Sequence, residues 1–165
     1  MLPIWLTIMT SIATLFSKFP SLQVTPQKPL LGLYFAASWC PDCTGVTPVV
    51  QEVLEKNTAD MNVVYVASDS TEEQMKSYIP ASFAAVPFGN AEERSNLKRH
   101  FGACASKEVA PLGMTREDRK HGIPTLILLD SDSGRIVTTS GVDDIMGSNR
   151  DAAVDGWKNL LKESS

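Results

Sequence analysis

Cysteine is scarce in this sequence of 165 residues: there are 3, and two of them, Cys40 and Cys43, are separated by two residues. That excludes the dense, even set of a disulfide-stapled secreted module and leaves a close pair suited to redox chemistry or to half a metal site. Positive charge is not in surplus either. With 15 Lys and Arg against 19 Asp and Glu, the net charge is -4, so there is little to displace phosphate counterions and nucleic acid is not an expected partner. No Asn-x-Ser/Thr acceptor occurs, which argues against a secreted glycoprotein. Internal repeats and low-complexity tracts are also missing, and collagen-like architectures go with them.

Long hydrophobic runs are lacking as well. The stretch Met1 to Ser17 is uncharged and contains five Thr or Ser. It falls short of the roughly 20 predominantly apolar residues that span a bilayer, and it lacks the basic start and small-x-small cleavage site of a secretory signal. The spacing Trp5, Ile8, Ile12, Leu15 predicts an amphipathic helix packed on or beside the domain. A secretory or organellar targeting role through residues 1–17 is the alternative to a cytoplasmic protein.

What is present is the balance of a folded soluble protein, 43% hydrophobic and 21% charged. At this length one domain removes on the order of 70% of its extended-chain surface from water, enough to hold a fold without metal or disulfide staples. The expected organisation is an apolar segment and connector over 1–28, then one domain over 29–165 with an insertion at about 102–122. A monomer is expected.

Residues Leu30 to Ala37 read as a buried strand. Val46, Val49, Val50, Val53 and Leu54 give a helix running to about Asn57 its inward stripe. Asn62 to Ala67 is a second strand, which the crossover makes parallel to the first. A second helix follows the hydroxyl and acidic residues Asp69 to Glu73, and a third, short and charged, covers Ala91 to Phe101. Gly102 to Gly122 shows no sustained period and is long for an internal loop. Pro124 to Asp130 is a strand that turns back through Asp130 to Gly134 into Arg135–Thr139, and Ala153, Val154, Trp157, Leu160 and Leu161 give a closing helix its apolar face. The order strand, helix, strand, helix, helix, strand, strand, helix makes the fold class α/β.

Trp39-Cys40-Pro41-Asp42-Cys43 lies between a buried strand and a helix start. Cys40 therefore sits beside unpaired N–H groups at the positive end of the helix dipole, where a thiolate is favoured, and its sulfur is expected to be solvent-accessible at the mouth of the helix. The thiolate is the species that attacks a disulfide sulfur. Cys43, one turn on, attacks the mixed disulfide and releases the reduced product. A zinc set completed by His100 and Cys104 is the chemical rival, but bulky Trp39 and Pro41 around the pair speak against it, and no metal or other cofactor is expected. Isolated His100 and His121 read as solvated.

Trp-Cys-Pro-x-Cys after an apolar strand, Pro48 five residues past the second cysteine, and Gly122-Ile123-Pro124-Thr125 opening a later strand together resemble the thioredoxin superfamily. Tyr34-Phe35-Ala36-Ala37-Ser38-Trp39-Cys40, Ala85-Val86-Pro87-Phe88, Arg99-His100-Phe101 and Asp130-Ser131-Asp132-Ser133-Gly134 are similar to its tryparedoxin and nucleoredoxin branch, over about Leu30 to Thr139. The resemblance implies a thioredoxin-like α/β fold, a mixed central sheet with helices on both faces, and a thiol-disulfide oxidoreductase, a disulfide reductase with Cys40 as nucleophile and Cys43 as resolving thiol. It implies a cis bond at Pro124 facing the cysteines and substrate docking at Ile123. Trp39, Pro41, Asp42, Ile123 and Pro124 become the substrate-binding residues. The partners are a disulfide-containing protein or small molecule and an upstream thiol electron donor. A redox-sensitive protein-binding module of nucleoredoxin type, without high turnover, is the alternative.

Four departures matter. The buried acid that common thioredoxins carry six residues before the first cysteine is replaced by Tyr34, so water or Tyr34 must assist Cys43. Where tryparedoxin and nucleoredoxin have a second proline, this chain has Asp42, whose charge suits the helix start but disfavours a neighbouring thiolate; the same string in small thioredoxin-related proteins with narrow substrate choice points to a selective reductase. The arginine of tryparedoxin has no counterpart at Ser140-Gly141-Val142, so trypanothione is not implied. The 102–122 stretch is longer than in tryparedoxin and brings Cys104, as a surface insertion, a lid or a third redox thiol.

Overall fold

The computed structural model describes residues 15–163. Of the segment read as an amphipathic helix, residues 1–14, Trp5 included, lie outside the described residues; residues 15–18 are helical, and Leu15 and Phe16 pack against a buried cluster. No described helix is long and apolar enough to cross a membrane.

Five strands form one mixed sheet: β1 (Leu30–Ala36), β2 (Met61–Ala67), β3 (Ala84–Ala85), β4 (Thr125–Asp130) and β5 (Ile136–Thr138), in the order β3-β2-β1-β4-β5. The β1–β2 and β2–β3 pairs are parallel, and the β1–β4 and β4–β5 pairs antiparallel. Every residue of β1 is buried. Successive side chains leave opposite faces: Leu30, Tyr34 and Ala36 join one cluster, and Leu31, Leu33 and Phe35 the other. Helix α1 (Pro41–Lys56) covers the first face with Val46, Val50, Val53 and Leu54, joined by Val154 and Trp157 of α5 (Ala153–Glu163). The opposite face is covered by Leu97 and Phe101 of α3 (Ala91–Phe101), with Phe19 and Leu22. This is the mixed sheet with helices on both faces that the sequence leads one to expect.

The caps explain where helices begin and end. In α2 (Glu72–Tyr78) the Thr71 hydroxyl accepts the Gln74 amide, and in α3 the Asn90 side chain accepts the Glu93 amide, each satisfying an orphan N–H. Helix α3 stops at Gly102, whose φ of 64° is the left-handed region that favours glycine. Two elements go beyond the sequence reading. Strand β3 has two residues, too few to show a period, and α4 (Gly141–Met146) is a short helix whose Ser140 cap makes no side-chain bond.

The 102–122 stretch has one 3-10 turn, Ser106–Glu108, as its regular element. Its ends are tied: the Lys120 and His121 amides donate to the Gly102 carbonyl at 2.8 and 2.9 Å, and Ala103 bridges to His121.

Candidate active site

Parallel register places Ala36 beside Ala67, so the loops leaving β1 and β2 emerge side by side. The first carries Ser38, Trp39 and Cys40; the second holds them. Asp69 accepts the Ser38 amide at 2.7 Å and the Tyr65 hydroxyl at 2.8 Å, and the Trp39 indole N–H donates to the Ser68 carbonyl at 2.8 Å. Ligand sites of sheets with parallel strands gather at such carboxyl ends.

Cys40 caps α1, with its sulfur accepting the Cys43 amide at 3.2 Å. The same sulfur lies 3.9 Å from the Ile123 carbonyl, and the Ile123–Pro124 bond is cis. Both cysteines are free thiols in this structure. The expectation of an openly solvent-accessible Cys40 needs correcting: it is 4% exposed, against 0% for Cys43, because its sulfur turns inward between the α1 amide and the Ile123 carbonyl. Around it Trp39, 39% exposed, and exposed Pro41 and Asp42 form a rim, with Ile123 and Pro124 half-buried opposite.

Burial pushes the Cys43 thiol far above its ordinary range, and its hydrogen bond with Cys40 and the Asp42 charge add to the effect. Tyr34 is fully buried beneath the pair, and burial raises its phenol too, so it stays a neutral hydroxyl and not a proton acceptor. It is bonded to the Thr47 hydroxyl at 2.7 Å, which in turn is bonded to the Tyr78 hydroxyl at 2.6 Å.

Several of these residues escaped the sequence reading. Asp69 read as a helix-start residue and Ser68 drew no reading, yet both turn back to the Trp39 loop; their place directly after the strand that pairs with β1 was the available signal. Thr47 stood on the inward side of α1, and Tyr78 in α2, without pattern to link them. Glu108 gave no signal at all. Its carboxylate accepts the Ser68 hydroxyl at 2.6 Å and the Ala105 amide at 2.9 Å, and pairs with Lys98 at 2.5 Å. Burial alone would raise this carboxyl, but Lys98, Ser68 and the Ala105 amide together hold it below its usual value. Lys107, next in the turn, places its ammonium 3.9 Å from the centre of the Trp39 ring.

Among the described residues no group of three or more His, Cys, Asp or Glu is placed to hold a metal ion. Cys104 is buried in the insertion, and Arg119 donates to its carbonyl at 2.9 Å. His100, expected to be solvated, is exposed but lies with its ring 5.4 Å from Phe19 and 4.7 Å from Phe101, edge-on to each.

Known proteins resemble this chain in sequence and fold. A family model described as thioredoxin-like matches residues 28–136. Tryparedoxin of Trypanosoma brucei brucei is 33% identical over 124 residues, which cover 71% of this chain and 74% of that protein. Nucleoredoxin of Homo sapiens is 34% identical over 115 residues, covering 67% of this chain, and that of Danio rerio is 32% identical over 120 residues, covering 70%. The chain spans 22% and 24% of the length of these two nucleoredoxins. The solved structure of tryparedoxin from Trypanosoma brucei, 30% identical, superposes with a TM-score of 0.59 over 74% of this chain and 76% of that one. With the sheet order, the capping Cys40 and a family match over most of its length, the chain belongs to the thioredoxin-like family, whose members are redox oxidoreductases.

Proposed function

We propose that this protein is a thiol-disulfide oxidoreductase working as a disulfide reductase, with Cys40 as nucleophile and Cys43 as resolving thiol. One observation carries the reading: the Cys40 sulfur caps a helix start, 3.2 Å from the Cys43 amide and facing the Ile123 carbonyl. The Cys40 thiolate attacks one sulfur of a substrate disulfide; the S–S bond breaks, and the other half leaves with the electron pair as a thiolate that takes up a proton. Cys43, having lost its proton, then attacks the Cys40 sulfur and expels the second half as thiol. Substrate has gained two electrons, and the Cys40–Cys43 disulfide formed must be reduced again by an upstream thiol donor.

Trp39, Pro41 and Asp42 on one side, and Ile123 with cis-Pro124 on the other, flank the substrate chain. The substrate is a disulfide in a protein or small molecule, and the working compartment is the cytoplasm, where such a dithiol is kept reduced. Insulin or cystine reduction, followed with a recycling thiol donor, tests the proposal. Turnover that Cys40→Ser abolishes is the expected result. Capture of a partner protein without turnover would instead establish a redox-sensitive binding module.

A further inference from the structure

We propose that the turn Ser106–Glu108 is a substrate-selecting element: Glu108 positions Trp39 through Ser68, and Lys107 favours disulfides that carry a negative charge next to the attacked sulfur. This rests on the reductase reading above. Exposed lysines ordinarily sample many rotamers, but Lys107 is adjacent to a residue that is anchored. Glu108 bonds to Ser68, to the Ala105 amide and to Lys98, whose side chain is 4% exposed. The residue it holds, Ser68, is also the one whose carbonyl accepts the Trp39 indole. One hydrogen-bonded chain therefore runs from the core lysine through the insertion to the ring beside the nucleophile.

On that ring stands the Lys107 ammonium, at 3.9 Å from its centre. A cation over an indole face keeps its charge and keeps N–H groups free for an anion. A substrate that uses Trp39 as an apolar contact must bring its neighbouring substituent to Lys107. A carboxylate gains there and an ammonium loses. Asp42 is the opposing exposed charge on the Cys40 side of the rim, so the quantity that reports Lys107 is a change in preference.

The test compares kcat/KM for three small disulfides of similar size: dithiodipropionate (anionic), bis(2-hydroxyethyl) disulfide (neutral) and cystamine (cationic). The neutral compound normalises effects on the dithiol itself. In the whole protein at low salt, Lys107→Gln is expected to lower the anionic-to-cationic ratio about threefold and Lys107→Glu about tenfold, the scale of exposed charge pairs counted on both substrates. Lys107→Arg is expected to keep the ratio, and high salt to erase the differences. Glu108→Gln, which loosens Trp39, is expected to raise KM for all three compounds and to shift the tryptophan fluorescence. A ratio that stays the same in Lys107→Gln and Lys107→Glu, with the neutral compound still reduced, overturns this inference alone. Wild-type protein that reduces insulin but none of the three also overturns this inference alone, and wild-type protein that reduces neither insulin nor any of the three overturns the reductase reading beneath it.

Discussion

The amide of Cys43 points at the sulfur of Cys40, 3.2 Å away, and the two thiols of this turn are otherwise unlike. One caps the helix and keeps a small opening to solvent; the other is fully enclosed, and burial drives its thiol far above the ordinary range. A sulfur that resists ionisation in the resting protein is unsuited to first attack. It becomes useful once a mixed disulfide stands one helical turn away.

From this difference follows the outcome of trapping. Cys43→Ser should accumulate a mixed disulfide at Cys40, seen as an intact mass increased by half of the substrate disulfide and removed by excess thiol. Cys40→Ser should give no adduct under the same conditions. An adduct on Cys43 in that variant, with none in the other, reverses the two roles.

Tyr34 stands where a carboxylate would otherwise serve Cys43, and its neutral hydroxyl leads through Thr47 to Tyr78. A hydroxyl chain can stabilise a thiolate as it forms without carrying charge itself. Tyr34→Phe should therefore slow the second step and spare the first, so that mixed disulfide builds up transiently in rapid-quench mass measurements. Stability should fall by about 1 kcal/mol for the lost hydrogen bond. If resolution keeps its wild-type rate, water alone serves Cys43.

Gly102 ends α3 and opens the insertion with φ at 64°, and a Cβ there would stand 2.7 Å from the Asp118 carbonyl. Gly102→Ala meets both a backbone penalty of about 1–2 kcal/mol and a clash with backbone that holds the insertion closed. Urea unfolding should show that loss. Limited proteolysis within 106–118 should accelerate in the variant, whereas an unchanged cleavage rate means that the insertion is held without this closure.

How far the sequence reaches is clear from particular residues. Leu30 to Ala36 and the Val46–Leu54 stripe are dense local patterns, and both elements form where the periodicity puts them. The Cys40–Cys43 spacing and Tyr34 were readable for the same reason, since each is set by one strand and one helix. Glu108 was not, because it stands in an aperiodic stretch and its partners Ser68 and Lys98 lie 40 and 10 residues away. Cys40 was expected open to solvent, but its burial depends on Ile123, 83 residues distant, and local pattern carries no information about such an approach. Strand β3 and helix α4 are held by tertiary pairing and packing, with too few residues for a period to show.

The Glu108–Lys98 pair makes the insertion sensitive to acid. Glu108 is held below its usual value in the folded protein, so its contribution is fully present above the unfolded carboxyl value of about 4.3 and is lost as pH falls through the lower folded value. Glu108→Gln removes that slope and leaves the Lys98 ammonium buried without its counter-charge, at a cost of about 3 kcal/mol near neutral pH. Urea midpoints measured from about pH 6 down to about pH 3 should therefore fall more steeply for wild type than for the variant, and the two curves should converge at the acid end. Parallel curves would mean that Glu108 titrates alike in folded and unfolded chains, and that the link from the core lysine to the Trp39 loop contributes nothing to holding the fold.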